Sequence, residues 1–251
     1  MKLECSYKTD VGKRREKNED SHCADDSLGL YIVADGMGGH VGGEFASRMA
    51  VDTIRDVIQQ LQNDPEMTLQ ANEEMKPGDY KAWLRYAIRV ASYKVYEQSI
   101  KNPNLKGMGT TTVAVLFRDD KIFFANVGDS RIYRIRGKKI EQLSHDHSLV
   151  GEQMRAGLIG PQDAREHRFR NIITRSVGFQ EDVEVDADSR VLKPGDVYLL
   201  CSDGLSNYLS DEELMTVVLN HSIKDSSGRL IDIANEKGGE DNITAVLLKA
   251  V

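Results

Sequence analysis

The sequence predicts an α+β fold built on a largely antiparallel sheet, and two observations support this. From residue 109 onwards, short apolar runs alternate with tight turns such as those at 118–121 and 137–138. Hairpins of this kind pair their strands antiparallel. Before them, residues 46–61 and 79–101 repeat apolar side chains at three- and four-residue spacing, which is typical of amphipathic helices. Helices that bury one face need a common surface to cover, and the strands supply it.

The first half of the chain contains two predicted strands and two long helices. Residues 3–8 alternate loosely and predict a first strand, which a charged segment at 13–20 follows. Residues 28–34 are almost wholly apolar, as expected of a strand buried on both faces, and they run directly into Asp35. The two helices come next, and Asn63-Asp64-Pro65 ends the first of them.

The second half is predicted to alternate short strands with short helices. Strands are expected at 110–117, 122–127, 131–136, 139–143, 183–185, 197–201 and 243–248. Helices are expected at 149–156, 211–219 and 227–236, with Asp211 as the N-terminal cap of the second. After residue 156 the chain follows an irregular path through Gly157, Gly160 and Pro161, and long loops in compact domains are often functional.

Composition limits the class of protein. A chain of 251 residues with 40 % hydrophobic and 29 % charged residues is expected to form one domain, 1–251. We find no run of about 20 apolar residues and no signal peptide, so no membrane contact is expected. The three widely spaced cysteines suit a reducing compartment, and the expected location is cytoplasmic. The net charge of −7 argues against nucleic acid as a partner and leaves carboxylates available for cations.

Four aspartates recur where a predicted strand meets a glycine-containing turn: Asp35, Asp129, Asp203 and Asp241. A lone Asp-Gly is usually an ordinary turn, but four of them could meet at one edge of a sheet, where like charges require a neutralising cation. Carboxylates without Cys or His partners suit Mg²⁺ or Mn²⁺. Two such ions about 3.5–4 Å apart can ionise a bridging water and place it in line with a phosphorus atom.

Other phosphate chemistries are disfavoured because their motifs are missing. No arginine stands six residues after a cysteine, and the sequence contains no GxxxxGK[ST], GxSxG or HExxH motif. His145-Asp146-His147 lacks further ligands at zinc spacing and is expected to be a polar loop. Asp186-Ala187-Asp188 is expected at the surface. A covalent intermediate is therefore not required.

Seven motifs in fixed order resemble the metal-dependent protein phosphatase 2C family in its compact bacterial form. They are RxxNED (15–20), ADGMGGH (34–40), GMGTT (107–111), VGDSR (127–131), DHSLV (146–150), SDGL (202–205) and EDNIT (240–244). The resemblance spans nearly the whole chain. It implies a four-layer αββα sandwich, in which helices flank two central antiparallel sheets, with a flap subdomain at about 149–176.

The resemblance also implies metal-binding roles for particular residues. Asp35 would bridge two Mn²⁺ or Mg²⁺ ions, the Gly36 carbonyl would join the first, and Asp203 and Asp241 would complete the second. Asp129 would share a weaker third ion with Asp203.

Three further residues take implied or hypothetical roles around these ions. Asp20 would act through water in the outer shell, and Arg15 would hold the substrate phosphate, although a charged segment such as 13–20 is more often a solvated loop. Animal-type relatives carry a histidine directly after the DG, whereas this chain has Met37 there and His40 three residues later. For His40, substrate contact or protonation of the leaving group is a hypothesis.

The implied activity is hydrolysis of phosphoserine and phosphothreonine in proteins by direct attack of a water that bridges the two ions. The expected partners are phosphorylated proteins, including a bacterial Ser/Thr kinase and its substrates, and a monomer is expected. One alternative is a phosphatase of the same fold that acts on a regulator of transcription; the lack of a sensor domain weighs against it. The other is an inactive binding module, which would be expected to have lost a metal carboxylate or Arg15.

Overall fold

The computed structural model describes residues 1–38, 42–64, 76, 78–160, 163–164 and 167–251. The strands are β1 Leu3–Asp10, β2 Asp20–Asp25, β3 Leu30–Met37, β4 Gly109–Thr110, β5 Thr112–Arg118, β6 Lys121–Val127, β7 Arg131–Arg136, β8 Lys139–Gln142, β9 Asp186–Val191, β10 Val197–Cys201 and β11 Ile243–Ala250. The α-helices are α1 Gly42–Asn63, α2 Tyr80–Lys101, α3 Leu149–Arg155, α4 Asp203–Ser206, α5 Asp211–Asn220 and α6 Ile223–Glu236.

The strands form two sheets in which every neighbouring pair is antiparallel. The five-stranded sheet has the order β1-β11-β10-β7-β8. The six-stranded sheet has the order β2-β3-β5-β6-β9, with β4 paired to β3. The antiparallel character that the hairpins predict is confirmed.

Apolar side chains divide the molecule into four layers. Tyr31 and Val115 of the six-stranded sheet share one buried cluster with Ile132, Tyr198 and Val246 of the five-stranded sheet, so the sheets pack face to face. The other face of the six-stranded sheet is covered by α1 and α2, and that of the five-stranded sheet by α4, α5 and α6. The αββα sandwich is therefore confirmed. Among the helices that the structure describes, none combines the length and apolar character needed to cross a membrane.

One expected strand and one expected helix cap are not found in the structure. Val183 and Val185 do not form a strand; they are buried in the cluster beneath α1 and α2, and β9 begins only at Asp186. Alternation of valine with glutamate predicts a strand, but here it reflects a loop packed on one side. The N-terminal cap of α5 is Ser210, not Asp211, because the Ser210 hydroxyl accepts from the Glu213 amide in a capping box.

The sequence does not predict strand β2, because β2 contains no apolar run. Its sequence is DSHCAD, and as an edge strand of the six-stranded sheet it pairs only with β3. The pairing places Asp20 directly opposite Asp35. The pairing of this edge strand therefore places the carboxylate-bearing residue Asp20 next to Asp35.

Candidate metal centre

The four aspartates meet in one cavity with a volume of 440 Å³ at a common edge of the two sheets. Asp35 lies in β3 of one sheet, and Asp129 lies in the turn that links β6 of that sheet to β7 of the other. Asp203 begins α4 after β10, and Asp241 precedes β11. Gly36 and Arg15 also line the cavity. The expected convergence of carboxylates from distant parts of the chain is therefore observed.

Asp35 lies within its strand, whereas the sequence predicts it at the strand end. Its carbonyl accepts hydrogen bonds from the Thr111 amide (2.9 Å) and the Thr110 hydroxyl (2.8 Å). Its own amide donates to the Thr111 hydroxyl at 3.0 Å. Both the amide and the carbonyl of Asp35 are therefore hydrogen-bonded, which limits the movement of the backbone that carries its side chain.

Thr111 also links Asp35 to the turn that carries Asp129. The hydroxyl groups of Thr111 and Ser130 are hydrogen-bonded at 2.7 Å, and both are buried. Gly128 packs against the same threonine with φ +98°, and a Cβ there would lie 2.6 Å from the Thr111 Cβ. One hydroxyl therefore connects the backbone of Asp35 with the residue that follows Asp129.

Replacing Thr111 by valine is expected to lower the free energy of unfolding by about 1–3 kcal/mol, because buried donors are left without an acceptor. Thr112→Val is a matched control, since the buried Thr112 hydroxyl has no partner in the described structure and its removal should be nearly neutral. Urea unfolding of the two metal-free variants measures the difference. Equal destabilisation by both substitutions would show that the Thr111 hydrogen bonds do not support the site.

Asp20 is buried behind Asp35 and is only half satisfied. Its Oδ2 accepts hydrogen bonds from the hydroxyls of Ser202 (2.8 Å) and Thr244 (2.6 Å). Ser202 directly precedes Asp203, and Thr244 lies three residues after Asp241. Its Oδ1 is buried, and no group among the residues that the structure describes hydrogen-bonds to it. An unpaired buried carboxylate oxygen is costly, so this atom is available to a donor or a cation.

Arg15 reaches the cavity from a loop that Asn242 fixes. The Asn242 amide group donates to the carbonyls of Val11 and Lys17, each at 2.9 Å, and its oxygen accepts from the Glu19 amide at 2.8 Å. Arg15 Nη2 lies 2.8 Å from Asp241 Oδ2. Asn242 therefore anchors the charged segment against the site, and Arg15, whose side chain is 49 % exposed, is paired there with Asp241. Its contact with a substrate phosphate stays a prediction.

The carboxylates raise one another's pKa values. Burial raises the pKa of Asp20 to about 7 and that of Asp129 to about 8, and neighbouring aspartates add to both shifts. The pKa of Asp35 lies well above its usual range, mainly because the carboxyl group is buried and then because of the charges of Asp20 and Asp203. The pKa of Asp203 is also raised, and its carboxyl group is close enough to that of Asp35 to share a hydrogen bond. Without a cation, the cluster is stable only when partly protonated.

These shifts predict that the metal-free protein loses stability as pH rises from 6.5 to 8. In this window the unfolded aspartates are already ionised, while folded Asp20 and Asp129 release protons, so the folded state binds more protons and rising pH favours unfolding. We expect the unfolding midpoint to fall by at least about 3 °C, the change that ~1 kcal/mol produces in a domain of this size.

Calorimetric scans across this pH range test the expectation, with Asp20→Asn as the control because asparagine does not titrate. The slope should be shallower in that variant, and saturating Mn²⁺ should reverse the slope in the wild type. A midpoint that rises with pH in the metal-free wild type would contradict the raised pKa values.

The oxygen donors that line the cavity are of the kind that hard divalent cations prefer. In the ranges that the structure describes, no three acidic, imidazole or thiol side chains already converge as a ready-made ligand group. Asp35, Asp129 and Asp203, which line the cavity, nevertheless have raised pKa values, and a bound divalent cation would neutralise the repulsion between their carboxylates. Gly36 packs so closely that a Cβ would lie 2.1 Å from the Gly43 carbonyl oxygen, so the backbone itself forms the cavity wall.

The remaining candidates have different positions. His40 lies outside the described residues. In His145-Asp146-His147 the side chains take separate partners: Asp146 pairs with Arg131 at 2.7 Å, and buried His147 lies 3.2 Å from Asp186. Residues 145–147 form a loop in the structure. Asp186, which the sequence predicts at the surface, is only partly exposed. Asn171 and Ile173 from the predicted flap also line the cavity. No single-residue pattern in the sequence indicates them.

Comparisons with known proteins agree with this architecture. A family model for protein phosphatase 2C matches residues 12–247. A serine/threonine phosphatase stp of Listeria monocytogenes is 36 % identical over 251 residues, which cover 98 % of this chain and 96 % of the relative.

Solved structures share the fold over the whole chain. The crystal structure of the serine/threonine phosphatase Stp1 from Staphylococcus aureus has a TM-score of 0.88 and 33 % identity, and the match covers 100 % of this chain and 96 % of that one. The catalytic domain of the phosphatase PstP, crystallised with two manganese ions, has a TM-score of 0.84 and 33 % identity, with coverage of 98 % and 97 %. With these matches and the geometry of the cavity, the chain belongs to the protein phosphatase 2C family.

Proposed function

We propose that this protein is a metal-dependent phosphatase that hydrolyses phosphoserine and phosphothreonine in proteins, with residues 1–251 as one catalytic domain. The observation that carries the proposal is the meeting of four aspartates and Arg15 in one cavity. Relatives that are curated as serine/threonine phosphatases, and a neighbour crystallised with two manganese ions, support it.

The aspartates would hold the ions. Asp35 would contact two Mn²⁺ or Mg²⁺ ions, the Gly36 carbonyl would contact the first, and Asp203 and Asp241 would contact the second. Asp20 would act through water. When bound, the ions would neutralise the cluster, acidify a water that attacks phosphorus directly, and stabilise the charge on the phosphoryl oxygens.

The other groups of the chain would position the substrate. Arg15 would take a phosphate oxygen pair once a cation neutralises Asp241, because its guanidinium presents paired donors that match phosphate. The three free thiols are unsuited to nucleophilic attack: burial raises the pKa of Cys23 to about 11 and those of Cys5 and Cys201 to about 12, so all three stay protonated. This disfavours a phosphocysteine intermediate.

Phosphorylated proteins, including a Ser/Thr kinase and its substrates, are the partners we propose. An inactive binding module is disfavoured because Arg15 and every aspartate of the predicted set line the cavity or adjoin it. A phosphatase that acts on a regulator of transcription would use the same site, and only the identity of the substrate separates it from the main proposal.

Hydrolysis of a phosphothreonine peptide in the presence of Mn²⁺, with and without a chelator, tests the proposed function. We expect phosphate release that the chelator abolishes and that added Mn²⁺ restores. Equal release with and without the chelator would contradict metal dependence. A metal-loaded protein that leaves the peptide intact would support the inactive binding module.

Asp129 tests the proposed weaker ion. It lies in the turn between β6 and β7, whereas Asp35 lies in β3 and Asp241 precedes β11. An ion held by fewer carboxylates keeps more of its own water and binds less tightly. We expect Asp129→Ala to lower kcat and to raise the Mn²⁺ concentration that activity needs, while calorimetry still shows the tight ions. Loss of all tight Mn²⁺ binding would place Asp129 in the main pair instead.

A further inference from the structure

A second depression, which we call the Phe179 groove, adjoins the carboxylate cavity. It has a volume of 410 Å³, and its lining includes Met37, Ile173, Arg175 and Phe179. Met37 and Ile173 also line the carboxylate cavity, so the two spaces meet at these side chains. A chain that places a phosphorylated residue among the aspartates therefore has its neighbouring residues beside this groove.

Phe179 is an exposed aromatic ring on an anchored backbone. Its side chain is 62 % exposed. Two residues earlier, Val177 is fully buried and exchanges two backbone hydrogen bonds with Thr110, at 2.8 and 3.0 Å. Between them, the Gly178 amide donates to the buried Ser92 hydroxyl at 3.0 Å.

The conformation of Gly178 also fixes the direction of the chain. Its φ is +87°, and a Cβ would lie 2.1 Å from the Val95 Cγ1 on α2. The backbone is therefore anchored directly before Phe179, and the exposed ring projects from a fixed part of the chain. Rigid exposed aromatic side chains lose little conformational entropy on binding and often serve as anchors in interfaces.

The charged side chains that line the groove, Arg175, Asp182 and Glu184, each have an ion-pair partner. Arg175 contacts Glu184 at 3.0 Å and Asp186 at 3.1 Å. Asp182 contacts Arg89 at 2.8 Å. A charged side chain from a ligand would compete with these pairs, whereas an apolar one would remove Phe179 from water without breaking them. The chemistry of the groove therefore favours an apolar occupant.

We propose that the Phe179 groove takes a large apolar side chain that flanks the phosphorylated residue of a polypeptide substrate. An extended chain advances by about 3.3–3.6 Å per residue, so a residue one or two positions away reaches the adjoining space. This inference rests on the proposed phosphatase function and adds a preference among phosphoproteins. Phe179 lies outside the 149–176 segment that the sequence predicts as the flap.

The test uses phosphothreonine peptides with alanine or leucine at one flanking position at a time, and p-nitrophenyl phosphate as a substrate without flanking residues. The proteins are the wild type, Phe179→Ala, and Tyr93→Ala as a matched control. Tyr93 is an aromatic residue on α2 that is 49 % exposed and does not line the groove. The kcat/KM values with Mn²⁺, and the Kd values of the same peptides carrying a non-hydrolysable phosphonate, are measured.

For the wild type and Tyr93→Ala, we expect leucine at one flanking position to raise kcat/KM about tenfold over alanine, the low end of the range for apolar pockets. The Kd of the phosphonate peptide should improve by the same factor. Phe179→Ala should lose both preferences and keep its rate on p-nitrophenyl phosphate.

A leucine preference that survives in Phe179→Ala, or its absence at every position in the wild type, would overturn the inference. A dimer that Phe179→Ala dissociates, with peptide selection unchanged, would assign the ring to contact between copies and would also overturn it. Failure of the wild type on all phosphorylated substrates would instead reject the phosphatase function on which the inference rests.

Discussion

Replacing Asp35 by asparagine is expected to lower kcat with Mn²⁺ by at least about 100-fold, the scale of losing one preorganised electrostatic stabiliser. The substitution keeps the side-chain volume but removes the charge that we assign to both main ions. The backbone of Asp35 is fixed by Thr110 and Thr111, so the variant should keep its fold. Its metal-free form should even be more stable at pH 8, because the pKa of the wild-type carboxyl is strongly raised.

Asp188→Asn is the matched control for this experiment. Asp188 is an aspartate of β9 whose side chain is 55 % exposed and pairs with Arg190, outside the carboxylate cavity. Its replacement should leave kcat and Mn²⁺ binding unchanged. If Asp35→Asn turned over substrate at a rate near that of Asp188→Asn, the assignment of Asp35 to both ions would be wrong.

Arg15→Ala is expected to raise KM for small phosphate esters about tenfold, since charge-assisted hydrogen bonds from arginine to an anion contribute about 1.5–3 kcal/mol. Mn²⁺ binding should not weaken. In the metal-free protein Arg15 is itself a cation paired with Asp241, so its removal leaves that carboxylate more available to Mn²⁺. A higher KM together with undiminished Mn²⁺ affinity distinguishes a phosphate clamp from a structural residue.

Arg14→Ala is the control, because Arg14 is an exposed arginine in the same loop and does not line the cavity. Michaelis constants for p-nitrophenyl phosphate and calorimetric Mn²⁺ titrations of both variants make the comparison. An unaltered KM in Arg15→Ala would limit Arg15 to its ion pair with Asp241. Weaker Mn²⁺ binding in that variant would show that Arg15 supports the metal site.

Much of the site could be predicted from the sequence because strand periodicity and glycine are local signals. Asp129, Asp203 and Asp241 each follow or precede a recognisable strand at a turn that contains glycine, and the structure brings them together. The edge strand β2 could not be predicted in this way, because its polar sequence has no periodic apolar pattern. At Val183 and Val185 the sequence predicts a strand that the structure does not contain. The alternation of apolar and polar residues there suits a strand, but tertiary packing holds both valines in a buried loop.

The supporting contacts could not be predicted because they join residues that are far apart in the chain. The Thr111 hydroxyl bridges Asp35 and Ser130, and Asn242 fixes the loop of Arg15 by hydrogen bonds to residues more than 200 positions away. Asn171 and Ile173 line the cavity from a part of the chain that carries none of its four aspartates. No local pattern marks such partners, and His40 lies outside the described residues.

Anomalous scattering at the manganese absorption edge, from crystals of the wild-type protein grown with MnCl₂, tests directly whether the aspartate cluster is a two-ion centre. We expect two strong peaks in the carboxylate cavity, with Asp35 in contact with both and with Asp203 and Asp241 on the second. A weaker peak is expected between Asp129 and Asp203. A cavity without peaks, or a single strong peak that Asp35 does not contact, would contradict the two-ion site on which the proposed phosphatase chemistry depends.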